Sequence, residues 1–224
     1  MRVELTYSSN AIEGNTLSLR ETMVALEGQT VQGRPLRDHL KAVDHAEAFD
    51  FIWHLAGTST PLTAVDVRSL HALVVRRSLP DEAGRWRTTG GRISGSAHVP
   101  PDPTAMPGLM DDWVQAWNTP TDAHPIAGAA RLHSRFVDIH PFLDGNGRTA
   151  RLLTSLGLVR HGYRPALLEP QDRLAYYDAL EAARDGRWDP LVQHFAVVVH
   201  RAFVRFWEPY LAPGPSEPDS PSAV

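Results

Sequence analysis

The segment Pro125–His161 reads PIAGAARLHSRFVDIHPFLDGNGRTARLLTSLGLVRH. Its first part sets Ile126, Ala129, Leu132, Phe136 and Ile139 on one side of an amphipathic helix running from Pro125 to His140. Its last part, Arg148 to His161, carries Leu152, Leu153, Leu156, Leu158 and Val159. Apart from its start it is nearly all apolar, which predicts a helix at the centre of the molecule. Between the two lies Gly145-Asn146-Gly147, where glycines permit positive φ and close backbone approach. One half-buried helix, a tight loop and one central helix set the fold class: all-α.

Working outward, the rest of the chain agrees. Ala11 to Glu27 has helical apolar spacing interrupted by Gly14 and Asn15, which predicts a short helix, a turn and a second helix. Asp38 to Leu55 carries the stripe Leu40, Val43, Ala46, Phe51 and Ile52. Thr63 is placed to cap a helix holding Val65, Val67, Leu70, Leu73 and Val74. Gly84 to Pro103 then turns polar and rich in Gly, Ser, Thr and Pro, and reads as a small β-hairpin. Helices follow around Met106 to Trp117, Asp172 to Arg184 and Pro190 to Leu211. The expected organisation is an N-terminal helical region over 1–62, a core over 63–198, a C-terminal helix over 199–211 and a disordered polar tail over 212–224.

Composition narrows the function classes. A chain of 224 residues with 42% hydrophobic residues can bury a real core. The net charge of −4 gives no basic field for nucleic acid. With no cysteine there is no disulfide, thiolate nucleophile or Cys-based zinc site. No apolar run approaches a membrane span or a secretory signal, so the expected compartment is the cytoplasm, with no membrane partner.

The central loop concentrates chemistry. The first turn of a helix offers free N–H groups and a positive dipole end, a ready anion seat. Arg148 and Arg151 share one face at that end, where two cations suggest an anion between them. Asp144 is a hard oxygen ligand suited to Mg²⁺. His140 is a candidate general base. Each feature alone also fits an ordinary turn or helix end; together they suit attack on a nucleotide phosphate.

The run His140-Pro141-Phe142-x-Asp144-Gly145-Asn146-Gly147-Arg148-x-x-Arg151 resembles the complete motif of the Fic family. Gly84-Arg85-Trp86-Arg87 and Pro100-Pro101 resemble the edges of that family's flap, and Gly162-Tyr163 and Tyr176-Tyr177 resemble its other recurrent pairs. The resemblance implies a Fic (Fido) helical bundle with a hairpin flap, and a transfer of AMP from ATP to a Tyr, Ser or Thr hydroxyl of a target protein. It implies that His140 takes the hydroxyl proton and that Asp144 holds Mg²⁺. Gly145, Asn146, Gly147, Arg148 and Arg151 would bind the phosphates, with Tyr176 and Tyr177 beside the nucleotide. Ile93, Ser94 and Gly95 of the flap would align an extended target segment. Gly147, where a phosphotransferase branch has Lys, and the acidic Asp144 both favour AMP transfer. Arg184 departs from the Asn of some relatives, which leaves the base or ribose side open.

A second signature lies in Ser9-Asn10-Ala11-Ile12-Glu13-Gly14-Asn15. Ser9 and Glu13 are one helical turn apart, which by itself fits a capped surface helix better than a regulatory device. It also resembles the inhibitory motif of Fic proteins. That implies Glu13 forming a fork-to-fork pair with Arg151 and denying the γ-phosphate its guanidinium. The alternatives to an autoinhibited transferase are removal of AMP by the same site and a non-catalytic nucleotide-binding module. Self-modification and a homodimer are further expectations. His39, His45, His54 and His71 read as scattered surface or half-buried positions, His133 as a packed helix residue, and Arg76-Arg77 as a solvated helix end.

Overall fold

The computed structural model describes residues 1–93 and 96–211. Its ten α-helices among the described residues are α1 (Arg2–Ile12), α2 (Leu19–Leu26), α3 (Leu36–Ala56), α4 (Ala64–Val75), α5 (Met106–Asn118), α6 (Pro125–Ile139), α7 (Asn146–Arg160), α8 (Arg173–Arg184), α9 (Asp189–Phe206) and α10 (Glu208–Leu211). The all-α class holds.

Helix α7 is the hub, packed against α6, α3, α4 and α1. Leu152, Leu153, Leu156 and Leu158 on it are all buried, as its nearly uninterrupted apolar sequence requires. Gly157 lets α7 approach α5, because a Cβ there would lie 3.0 Å from the Trp117 ring. The core continues through Trp113, Phe136, Phe142 and Phe195. Trp113 satisfies its indole N–H on the Leu132 carbonyl at 2.9 Å, tying α5 to α6.

Local chemistry sets several helix starts. Thr63 and Asp66 form a reciprocal capping box on α4, and Ser18 and Glu21 do the same on α2. Helix α1 begins at Arg2, well before the expected start at Ala11, because much of its buried face is made of Thr6, Ser8, Ser9 and Asn10, polar residues that carry no apolar periodicity. It ends where expected: Gly14 follows it at φ +84°, the left-handed conformation that closes a helix.

Three expectations are corrected. The stretch 84–103 contains no strand among its described residues; it is extended chain and turns, anchored by side chains. Its Ser94 and Gly95 lie outside the described residues, as does the expected tail from 212 onward. His39, His45 and His71 are not surface positions but buried, each with a ring nitrogen bonded inside the fold. Arg77 is no solvated helix end either. It bonds the fully buried Asp44 at 2.8 Å and Glu47 at 2.7 Å, locking α4 to α3.

Candidate active site

The loop between α6 and α7 is held from several sides. His140 ends α6 at φ 50° and ψ 59°, the sole non-glycine residue with positive φ among the described residues. That region is unfavourable for a residue with a Cβ. Arg87 over-determines it: its Nε donates to the His140 carbonyl at 2.7 Å, and its backbone N–H donates to the Pro141 carbonyl at 2.9 Å. The same guanidinium reaches the Thr89 and Pro101 carbonyls, pinning both ends of the flap to the loop.

Inside the loop, the Asn146 amide donates to the Phe142 carbonyl at 2.8 Å and accepts from the Phe142 N–H at 2.9 Å. Its side chain is therefore spent on closing the loop, so the expected phosphate cradle is its backbone with that of its neighbours. Phe142 is fully buried and stacks on His71 with ring centroids 3.6 Å apart. His71 accepts from the Gly84 N–H at Nδ1, so its proton sits on Nε2 and is donated to the Asp144 carbonyl at 2.9 Å. Gly145 has φ +82° and no room for a side chain: a Cβ would meet Val75 at 2.9 Å. Gly147 is helical, and what excludes a side chain there is Glu13, whose Oε1 would lie 2.3 Å from a Cβ.

A cleft of about 230 Å³ opens above this loop. It brings together most of the residues singled out from sequence: Glu13, Ile93, His140, Asp144, Gly145, Asn146, Gly147, Arg151, Tyr176 and Tyr177. Arg92, Ser96, Leu180, Glu181 and Arg184 complete its far side. Arg184 donates to Asp138 at 2.7 Å and to the Ser96 hydroxyl at 2.9 Å, so it braces the flap base against α6. Tyr176 is buried and bonded at 2.7 Å to His133 Nε2, whose other nitrogen meets Thr154 at 2.8 Å.

Arg148 does not border the cleft. Its guanidinium is 1% exposed, donates to the Val74 carbonyl at 3.2 Å, and lies 3.6 Å from Asp144 Oδ1. Asp144 itself is half-exposed. Burial works to raise its carboxyl pKa, but Arg148, Lys41 and the Gly145 N–H outweigh it and hold the group below the ordinary carboxylate range. For His140, burial pushes the imidazole below its ordinary value and the charge of Arg87 adds to this, while the Val137 carbonyl, Glu13 and Asp144 oppose it. Its Nδ1 is buried without a hydrogen-bond partner among the described residues, while the residue lines the cleft.

The N-terminal helix reaches the site through Arg151. Arg151 donates from Nε to the Ser9 hydroxyl at 2.9 Å, and from one terminal nitrogen to the Ser9 carbonyl at 2.9 Å and Glu13 Oε1 at 2.8 Å. The expected fork-to-fork geometry is thus replaced by a single carboxylate contact plus two bonds to Ser9. The burial of Glu13 works to raise its pKa, but Arg151 and Arg148 outweigh it and keep the carboxylate ionised and paired.

Three contributors are not legible in the sequence: Arg87, which reads only as a flap edge, His71 and Lys41. None carries a local signal, because each acts on backbone or side chains far away in sequence.

Fold and site together define a helical protein with a cleft at the start of its central helix, bordered by Glu13 at the end of its first helix. Residues 61–158 match the model of the Fic/DOC family. A curated relative from Nematostella vectensis named Protein adenylyltransferase Fic is 38% identical over 200 residues, covering 87% of this chain and 46% of that protein. One from Caenorhabditis elegans, Protein adenylyltransferase fic-1, is 37% identical and covers 85% of this chain and 38% of its own length. Among solved structures, a piece of C. elegans Fic-1 superposes with a TM-score of 0.86 at 32% identity, over 93% of this chain and 63% of that one. A Fic-domain-containing signalling protein from Bacteroides thetaiotaomicron gives 0.83 at 27% identity, over 91% of this chain and 84% of that one. The chain belongs to the Fic/DOC family. It spans less than half the length of these curated relatives.

Proposed function

We propose that this chain transfers AMP from ATP to a hydroxyl of a target protein, and that the site rests in an inhibited state. The adenylyltransferase names of the relatives support the reaction. The observation that carries the resting state is the pairing of Arg151 with Glu13 and Ser9 of α1.

His140 Nε2, at the rim of the cleft, takes the proton from a Tyr, Ser or Thr hydroxyl. The hydroxyl oxygen bonds to the α-phosphorus as the bond to pyrophosphate breaks. The backbone N–H groups at the start of α7 face the charge that develops. Asp144, a half-exposed carboxylate lining the cleft, suits Mg²⁺, which commonly binds through one carboxylate plus substrate phosphates. When bound there it would neutralise phosphate charge. Arg151 is the guanidinium within reach of the terminal phosphate, and Glu13 competes with that phosphate for it. Tyr176 and Tyr177 wall the nucleotide side, and Ile93 borders the entry for the target. We extend the reading to self-modification, to a homodimer and to a cytoplasmic setting.

With labelled ATP and Mg²⁺, Glu13→Gly is expected to raise label incorporation at least tenfold over the parent chain, roughly the loss of one well-placed charged contact. His140→Ala in that background removes it. Equal labelling of the parent and Glu13→Gly proteins would overturn the inhibited state. A second reading, removal of AMP, rests on the Glu13 carboxylate bordering the cleft, where it would orient a water. An AMP-modified protein losing its label only while Glu13 is present would favour it.

A further inference from the structure

Lysine occurs once in this chain, at Lys41, against twenty-one arginines. It lies on α3, outside the matched family domain at 61–158. Its ammonium stands 3.6 Å from Asp144 Oδ2, with the side chain 22% exposed. The acidic residues next along α3 do not compete for it: Asp44 is taken by Arg77, and Asp38 by Thr16.

The two oxygens of Asp144 are thus treated differently. Oδ1 accepts the Gly145 N–H at 2.6 Å and faces the buried Arg148 at 3.6 Å. That side is fixed, because Arg148 is sealed in the core and tied to Val74. Among the described residues the charged contact of Oδ2 is Lys41, at a distance longer than a tight hydrogen bond and on a flexible four-carbon stem. Oδ2 is therefore the oxygen with room for a divalent cation, and Lys41 holds a positive charge in front of it. A metal ion and an ammonium on one oxygen repel each other, so one must give way. A nucleotide changes that balance, since its phosphates attract both.

We propose that Lys41 is a positioning residue that covers the metal-facing oxygen of Asp144 in the nucleotide-free protein, so that a divalent cation loads together with nucleotide and not ahead of it. This rests on the reading of Asp144 as the metal ligand.

The test is Mn²⁺ binding to the full chain, followed by electron paramagnetic resonance, without nucleotide and with a non-hydrolysable ATP analogue. Lys41→Met is expected to tighten nucleotide-free Mn²⁺ binding by roughly fivefold or more, the scale of one unit charge at about 4 Å in a solvated setting. Lys41→Arg, which keeps the charge, stays near the parent, and the analogue narrows the gap between Lys41→Met and the parent. Equal nucleotide-free affinity in Lys41→Met and the parent, including no binding by either, overturns the proposal. So does tightening by Lys41→Arg that matches Lys41→Met, since charge would then not be the cause. Melting temperatures identify a variant that fails to fold, and Lys41→Gln then replaces Lys41→Met. Asp144→Asn separates the two readings: parent-like Mn²⁺ binding with the analogue would overturn Asp144 as metal ligand, whatever Lys41 does.

Discussion

At the scale of single residues, Gly147 shows how one position joins fold and control. From sequence it is a flexible loop glycine beside a phosphate seat. In the structure it is helical, and its missing Cβ is the space that Glu13 Oε1 fills. A Gly147→Ala chain must move the Glu13 carboxylate and so strain its pairing with Arg151. Urea unfolding should show Gly147→Ala costing about 1 kcal/mol more in the parent than in the Glu13→Gly background, a coupling typical of residues in contact. Equal costs in both backgrounds would mean that Glu13 does not occupy that space. His140 teaches the complementary lesson. Its type and place in the motif were legible, but its left-handed backbone was not, because Arg87 imposes it from 53 residues away.

At the scale of elements, α1 and the residue that ends it bring Ser9 and Glu13 to Arg151, the contacts on which the proposed resting state depends. Its own last turn is closed by Gly14, and the chain beyond is fastened to the start of α3. The Thr16 N–H and hydroxyl both donate to Asp38 Oδ2, at 2.9 and 2.7 Å, and the Asn15 amide donates to the Asp38 carbonyl at 2.9 Å. Asp38 is 4% exposed, and removing its carboxylate takes from Thr16 two hydrogen bonds to a charged acceptor. Asp38→Ala is expected to cost about 1–3 kcal/mol and to loosen α1, raising basal AMP transfer above the parent but below Glu13→Gly. Unchanged labelling alongside a lower denaturation midpoint would separate the Asp38 anchor from control of the site. The helix–turn–helix expected between Ala11 and Glu27 was readable because Gly14 and Asn15 break an apolar period. The true start of α1 was not, since its buried face presents Thr6, Ser8 and Ser9 to partners in α3 and α7 that no local pattern reveals.

At the scale of the whole molecule, the packed core carries buried neutral histidines. Burial above all lowers His133 to about 3 and His71 to about 4, and it lowers His45 well below its ordinary value. In the unfolded chain these groups titrate near 6.5. Between that value and the folded ones, the unfolded state binds protons that the folded state refuses. Stability is therefore full above pH 6.5 and is lost progressively as pH falls toward the folded values. Urea unfolding should show a midpoint that drops from pH 7 to pH 5, with a proton uptake approaching about three on unfolding. A flat profile over that range would mean that these rings are hydrated or charged in the folded protein.

The sequence by itself determined the helical class, the central place of Arg148–His161, the motif residues around the loop and the first-helix signature. Periodicity, glycine placement and motif spacing are local properties, and local patterns survive without the fold. Only the tertiary structure decided that Arg151 is shared between Ser9 and a single oxygen of Glu13, that Asn146 closes the loop instead of facing a ligand, and that Arg148 lies sealed behind Asp144. It also decided that a lone lysine on α3 stands before that carboxylate. These contacts join residues far apart in the chain, so hydrogen bonding and burial in the packed core, not neighbouring sequence, select them.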